Sequence, residues 1–189
     1  IKKQPYNRRL LQTILDKNIT LIDHETIVDK NNSRLIGFGR YAGIVGTYNA
    51  FRAFGMKYEL YNLPKAETLA DKEALIHRLK RPYLPPIKIV LTGKGKVGMG
   101  AIEILTAMKI KEVSVNDFLH KTYTYPVFTN LDVLDYNQRK DGKVRDNKDF
   151  YDHPTDYISD FDRFTKVADI LITGHFYGNN APTILTRDM

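Results

Sequence analysis

The chain has 189 residues, enough for one large domain or parts of two, and its 42% hydrophobic and 27% charged content is that of an ordinary soluble protein. It contains no cysteine, which excludes disulfides, zinc–thiolate sites and a cysteine nucleophile within it; a cytoplasmic location is the expectation. The net charge of +7 arises from 29 Lys and Arg scattered among 22 Asp and Glu, without a basic-aromatic array, so no nucleic-acid partner is expected.

An anionic small substrate and a pyrophosphate would suit the same basic balance. No run of eighteen apolar residues occurs, and the opening IKKQPYNRR has no apolar core of a signal peptide, so neither a membrane span nor secretion is expected.

In chain order, Asn7 to Lys17 places Leu10, Leu11, Ile14 and Leu15 on one helical face. A strand is predicted over Ile19 to Asp23, after the terminator Asn18, and another over Arg34 to Phe38, beyond the polar turn DKNNS. Gly39-Arg-Tyr-Ala-Gly43 opens a long helix reaching about Phe54; Gly43 and Gly46 in its first turns point to close packing against another backbone or a ligand. Tyr58 to Thr68 is less regular. Leu69 to Leu79 has the pattern of a short amphipathic helix, stopped by Arg81-Pro82 and Pro85-Pro86.

Ile87, Ile89, Val90 and Leu91 then form a β-branched run that reads as a strand buried on both faces. The run breaks into Gly93-x-Gly95-x-x-Gly98, and Val97, Ala101, Ile104, Leu105 and Met108 follow at helical spacing. Strand, glycine turn and helix are the context in which this motif binds a dinucleotide. Gly93 allows the tight turn, Gly95 the approach of a pyrophosphate, and Gly98 the packing of helix on strand. The N–H groups at the helix start and its dipole form an anion site, with Lys94 and Lys96 beside it.

A second strand is predicted over Glu112 to Asn116, ending at Asp117, 19 residues after Gly98. A carboxylate there would accept hydrogen bonds from the adenosine ribose and repel a 2′-phosphate. NAD is therefore the expected cofactor, with NADP as the alternative because Lys121 lies four residues on. From Asp117 to about Phe164 the chain is polar and tyrosine-rich and includes RKDGKVRDNKD; it reads as an insertion with short helices and mobile parts. Val167 to Thr173 is a buried strand whose end, before Gly174-His-Phe-Tyr-Gly178, should face the cofactor crevice. No pair of histidines has metal-ligand spacing, so no metal is expected.

The fold class is thus α/β, with a Rossmann-type parallel sheet that is incomplete because only three strands are expected after Pro86. With no initiator methionine and an opening helix without a strand before it, the chain is expected to be a fragment. Residues 1–40 would end a preceding α/β domain, 41–86 would be interdomain helices, and 87–189 a truncated NAD-binding domain.

Three separated anchors, the last a tail of three segments, carry a family resemblance together with the glycine loop. Arg34-Leu-Ile-Gly-Phe-Gly-Arg-Tyr-Ala-Gly-Ile-Val-Gly46 resembles the interdomain crossing of lysine-forming saccharopine dehydrogenases and lysine–2-oxoglutarate reductases, relatives of alanine dehydrogenase and the transhydrogenase cofactor domain. Ile1-Lys-Lys-Gln4 resembles the residues after that family's His-Thr pair. Phe150 to Phe161, Ile170 to Gly174 and Asn180 to Arg187 resemble the reductase half of the bifunctional aminoadipic semialdehyde synthase.

The resemblance implies interconversion of saccharopine with lysine and 2-oxoglutarate by hydride exchange with a nicotinamide. That chemistry needs acid–base groups and cations for the substrate carboxylates. The family's acid–base lysine and histidine would lie upstream of Ile1, so the chain alone is expected to be inactive and to need the rest of the same enzyme. By the resemblance, Gln4 and Arg34 match positions that hold saccharopine, an arginine fork suiting a carboxylate. Phe38 matches a position packing on substrate, and Glu25 an auxiliary carboxylate near the acid–base pair. Gly95, Lys96 and Asp117 match cofactor contacts, to which the loop adds Gly93, Val97 and Gly98. Phe176 stands where the family's dehydrogenase has a tyrosine beside the cofactor, so it lacks that hydroxyl. An alanine-dehydrogenase-like enzyme and a non-catalytic NAD-binding sensing module are the competing readings.

Overall fold

The computed structural model describes residues 4–143, 146–176, 178 and 180–188. Ile1 to Lys3 of the opening match, Val144 and Arg145 of the polar stretch and Tyr177 of the tail lie outside the described residues. The chain divides into two units, Ile1–Phe38 and Gly39–Met189.

In the first unit the helix forms as predicted, α1 at Arg8–Asp16, but no described residue of the unit is buried. Neither predicted strand forms. Ile19 to Asp23 has no regular structure, and Arg34 to Phe38 contributes a single antiparallel bridge, Arg34 to Val28. An extended segment becomes a strand only when a neighbour takes its hydrogen bonds. Here the backbone beside each segment closes local turns on aspartate side chains instead of lining up as a partner. Asp23 accepts from the Glu25 N–H at 2.9 Å, and Asp29 accepts from the N–H groups of Asn31 and Ser33 at 2.8 and 2.9 Å. Ile19, Leu21 and Ile22 stay exposed, so no burial favours pairing.

The second unit is a three-layer α/β structure. Four parallel strands, β1 (Lys88–Thr92), β2 (Lys111–Glu112), β3 (Val127–Leu131) and β6 (Ile170–Thr173), lie in the order β2-β3-β1-β6. Ile89 and Leu91 point to one core with Phe128 and Ile172, while Val90 points to the other with Leu131, Phe118 and Phe164. Burial on both faces is why β1 reads as an unbroken apolar run. The first core is covered by α2 (Gly39–Lys57), α3 (Lys72–Leu79) and α4 (Lys96–Ala107). Asp71 caps α3, accepting from the Ala74 N–H at 2.8 Å.

Helices α2 and α4 cross with their backbones almost touching. A Cβ on Gly43 would lie 1.9 Å from the Val97 carbonyl oxygen, and one on Gly100 would lie 1.9 Å from the Arg40 carbonyl oxygen. Gly43 thus fulfils the close-packing expectation; Gly46 does not, since nothing lies within 4 Å of its missing Cβ. Around the crossing, Glu103 of α4 takes both Arg40 Nε (2.9 Å) and Lys72 Nζ (2.8 Å), joining three helices.

After α4 the structure corrects the sequence reading. The predicted strand Glu112 to Asn116 stops at Glu112, because Ser114 accepts a hydrogen bond from the Asp117 N–H at 3.1 Å and caps α5 (Val115–His120). The place beside β1 is taken instead by β3, inside the stretch read as an insertion. The remainder of that stretch holds an antiparallel pair, β4 (Asn137–Arg139) and β5 (Tyr157–Ser159), with α6 (Asn147–Asp152) between them and α7 (Asp162–Thr165) after. Arg139 ties it together, bonding Asp149, Asp141 at 2.8 Å and Asp156 at 3.3 Å. Among the described residues no helix is long and apolar enough to cross a membrane.

Candidate functional site

The three long parallel strands end level with one another: Thr92 is in register with Leu131 on one side and Thr173 on the other. Loops start from this edge tied to their neighbours, the Gly93 N–H donating to Leu131 O and the Gly174 N–H to Thr92 O, each at 2.9 Å. With β3 and β6 on opposite sides of β1, the crevice above Thr92 is the switch point at which open α/β sheets take ligands.

Each glycine of the loop has its own physical setting. Gly93 has φ +92°, and a Cβ there would meet Gly174 and His175 at 2.7 Å. A Cβ on Gly98 would lie 2.0 Å from the Gly93 carbonyl oxygen, so a side chain there would force α4 off the turn. Gly95 differs. It is the N-cap of α4 with φ −82°, open to any residue, no side chain caps the helix, and nothing lies within 4 Å of its missing Cβ.

Gly95 opens into a cavity of about 410 Å³ that Gly93, Lys94, Lys96, Val97, Asp132, Val133, Tyr151, Gly174, His175 and Phe176 also line. Its charge comes from two lysines of the loop and one carboxylate. Asp132 follows directly on β3 and is rigidly held: Oδ1 accepts from the Val133 N–H at 2.7 Å, and Asn147 Nδ2 lies 3.2 and 3.1 Å from its two oxygens. Lys94 Nζ stands 3.8 Å from Oδ2. Asp117, by contrast, sits in the first turn of α5, pairs with Lys121 at 3.0 Å, and does not line this cavity.

Among the lining residues, His175 is held from behind: Thr92 Oγ1 and His175 Nδ1 are 2.6 Å apart, and the imidazole meets the Tyr136 ring edge-on with centres 6.0 Å apart. Burial pushes the His175 pKa down, favouring the neutral ring. Phe176, the next residue, is 76% exposed on the rim.

In the first unit, Arg34 Nη2 pairs with Glu25 at 3.0 Å, and Phe38 meets the His24 ring edge-on at 6.1 Å. Gln4 has a local partner, accepting from Asn7 Nδ2 at 3.0 Å. The structure therefore brings Glu25 and Arg34 together, and separately gathers Gly93 to Gly98 with Phe176.

No protein-family profile matches the chain. It is 31% identical to the alpha-aminoadipic semialdehyde synthase of Bos taurus and 28% identical to that of Rattus norvegicus, both named as mitochondrial, over 99% of this chain and 23% of each relative. The chain is homologous to alpha-aminoadipic semialdehyde synthase. A partial match, 26% over 60% of this chain and 34% of the relative, is to the NAD(+)-dependent, L-lysine-forming saccharopine dehydrogenase of Candida glabrata. The chain thus spans about a quarter of the synthases it matches.

For this homologue of the synthase, the sequence reading did not single out the polar cavity residues Asp132, Tyr151 and His175, nor Val133 beside them. Asp132 carried a usable signal. Val-Phe-Thr-Asn-Leu after Pro126 is a short β-type run ending in an acid, but it was hidden by its tyrosine-rich surroundings. His175 follows the strand end that the sequence already turns toward the cofactor crevice, although the residue itself was not singled out; Tyr151 carried no signal, since only the fold brings its position to the glycine loop.

Proposed function

We propose that the chain supplies the dinucleotide-binding part of an oxidoreductase that interconverts saccharopine with L-lysine and 2-oxoglutarate, with NAD as its cofactor. The observation that carries this is Gly95. Of the loop's three glycines it is the one that neither its backbone angle nor a neighbouring atom requires, and the space it leaves faces the cavity. A glycine kept open at a helix start between Lys94 and Lys96 suits a pyrophosphate. Bound there, a nicotinamide dinucleotide would supply the hydride exchange.

The chain's own residues would bind and orient it. Asp132, at the tip of the strand beside β1, takes the ribose role first expected of Asp117: its fixed carboxylate accepts from the 2′- and 3′-hydroxyls and repels a 2′-phosphate. The NAD(+) dependence in the name of the Candida glabrata relative supports the same cofactor. Arg34 offers a guanidinium fork to a substrate carboxylate, and Glu25 at 3.0 Å holds that fork in place.

The test is turnover by the full-length gene product. Saccharopine with NAD, or lysine with 2-oxoglutarate and NADH, should react. Turnover of alanine would favour an alanine-dehydrogenase-like enzyme, and NAD binding without turnover a sensing module. Arg34→Ala should raise the saccharopine KM strongly with little change in NAD affinity, and Arg34→Lys should not restore it, because lysine lacks the fork.

A further inference from the structure

One wall of the glycine-loop cavity is a side chain for which pyrophosphate and ribose binding have no use. Helix α6 presents Tyr151 there, 52% exposed and braced edge-on against Phe150 with ring centres 5.5 Å apart. Four residues earlier on the same helix, Asn147 holds the Asp132 carboxylate through its amide, at 3.2 and 3.1 Å. Residues at this spacing share a helix face, so α6 fixes the ring and the acid relative to each other. Their closeness is also electrical: after burial, the field of Asp132 helps to raise the Tyr151 pKa.

The cavity therefore has an exposed aromatic ring on each flank of the anion-binding loop. Tyr151 stands with Asp132 and the loop after β3, whereas Phe176 follows β6 on the other side of β1. A dinucleotide has a ring at each end of its pyrophosphate. The ring nearest the ribose-reading acid belongs to the adenosine half.

We propose that Tyr151 is the stacking platform for the adenine ring of the dinucleotide, an inference that rests on the cofactor reading above. The segment between β3 and β6 then does more than decorate the sheet. It supplies half of the adenosine site, orienting Asp132 through Asn147 and laying Tyr151 against the base. Stacking needs the ring face and not the hydroxyl.

The experiment is calorimetric titration of the wild-type protein, Tyr151→Ala and Tyr151→Phe with NAD, ADP and nicotinamide mononucleotide, with unfolding temperatures checking the fold. Tyr151→Ala should weaken NAD and ADP by about five- to a hundredfold. It should leave nicotinamide mononucleotide unchanged, and Tyr151→Phe should bind NAD and ADP within about twofold of wild type. Unchanged ADP affinity in Tyr151→Ala, or a loss confined to nicotinamide mononucleotide, would overturn the adenine assignment while leaving the dinucleotide reading intact. A Phe variant as weak as Ala would also overturn it, since a hydroxyl contact would then be responsible. Wild-type protein that binds none of the three would remove the cofactor reading and this inference with it.

Discussion

The carbonyl oxygen of Val97 lies 1.9 Å from where Gly43 would carry a side chain, so α4, the helix that starts in the glycine loop, is pressed directly onto α2. Three residues along, Gly46 meets nothing within 4 Å. The two glycines should therefore respond oppositely to alanine. Gly43→Ala must separate α2 from α4 and should cost about 1–3 kcal/mol or more. Gly46→Ala relieves a flexible residue in an exposed helix turn and should stabilise by about 0.5–1 kcal/mol. Denaturant unfolding of both variants checks the pair; equal effects would mean that the crossing is not tight.

Cofactor choice should follow Asp132 and not Asp117. Asparagine at 132 keeps the turn, being an equally good cap, but loses the charge. A hydrogen bond to a charged group contributes about 1.5–3 kcal/mol, so Asp132→Asn should weaken NAD roughly ten- to a hundredfold and improve the relative binding of NADP. Asp117→Asn, on α5 with Lys121 as its partner, should change neither. Titrations with both cofactors decide it. A loss confined to the Asp117 variant would return the ribose role to that residue.

Acid should loosen the site before it reaches the carboxylates. The folded protein holds His175 below its ordinary pKa of 6.5 because burial opposes the imidazolium. As the pH falls through 6.5 the unfolded chain takes up the proton first, so stability present above that pH is lost below it. Glu103 is held below its usual range by Lys72 and Arg40, and Asp141 at about 2 by Arg139, so their contributions fade only at lower pH. The unfolding temperature should start to drop as the pH falls through about 6.5, and His175→Gln should flatten that drop. An identical slope in the variant would show that the ring is not responsible.

What the sequence made legible, and what it hid, follows from where the stabilising contacts come from. β1, the glycine turn and α4 were readable because their determinants are local: a two-faced apolar run, three glycines and helical spacing. The extended stretches at 19–23 and 34–38 look like strands by residue type, but a strand is a property of two segments: 34–38 finds only a single bridge, at Val28, and the ends of 19–23 bond to α1 and to the turn after Asp23. At Glu112 to Asn116 the β-type valines lost to a single serine cap. β3 was missed for the converse reason: Thr129 and Asn130 break its apolar pattern, yet a place between β1 and β2 settles its structure. Asp132, which lines the glycine-loop cavity, was hidden with it.

Gly95 carries the central claim, that this loop receives the pyrophosphate of a dinucleotide, and Gly95→Val tests it most directly. Because nothing lies within 4 Å of the missing Cβ and the backbone angle suits any residue, the variant should fold with an unfolding temperature close to wild type. Calorimetric titration with NAD should show binding by the wild-type protein and none by the variant, since valine would occupy the place of the phosphates. Equal NAD affinities in two well-folded proteins would contradict the account.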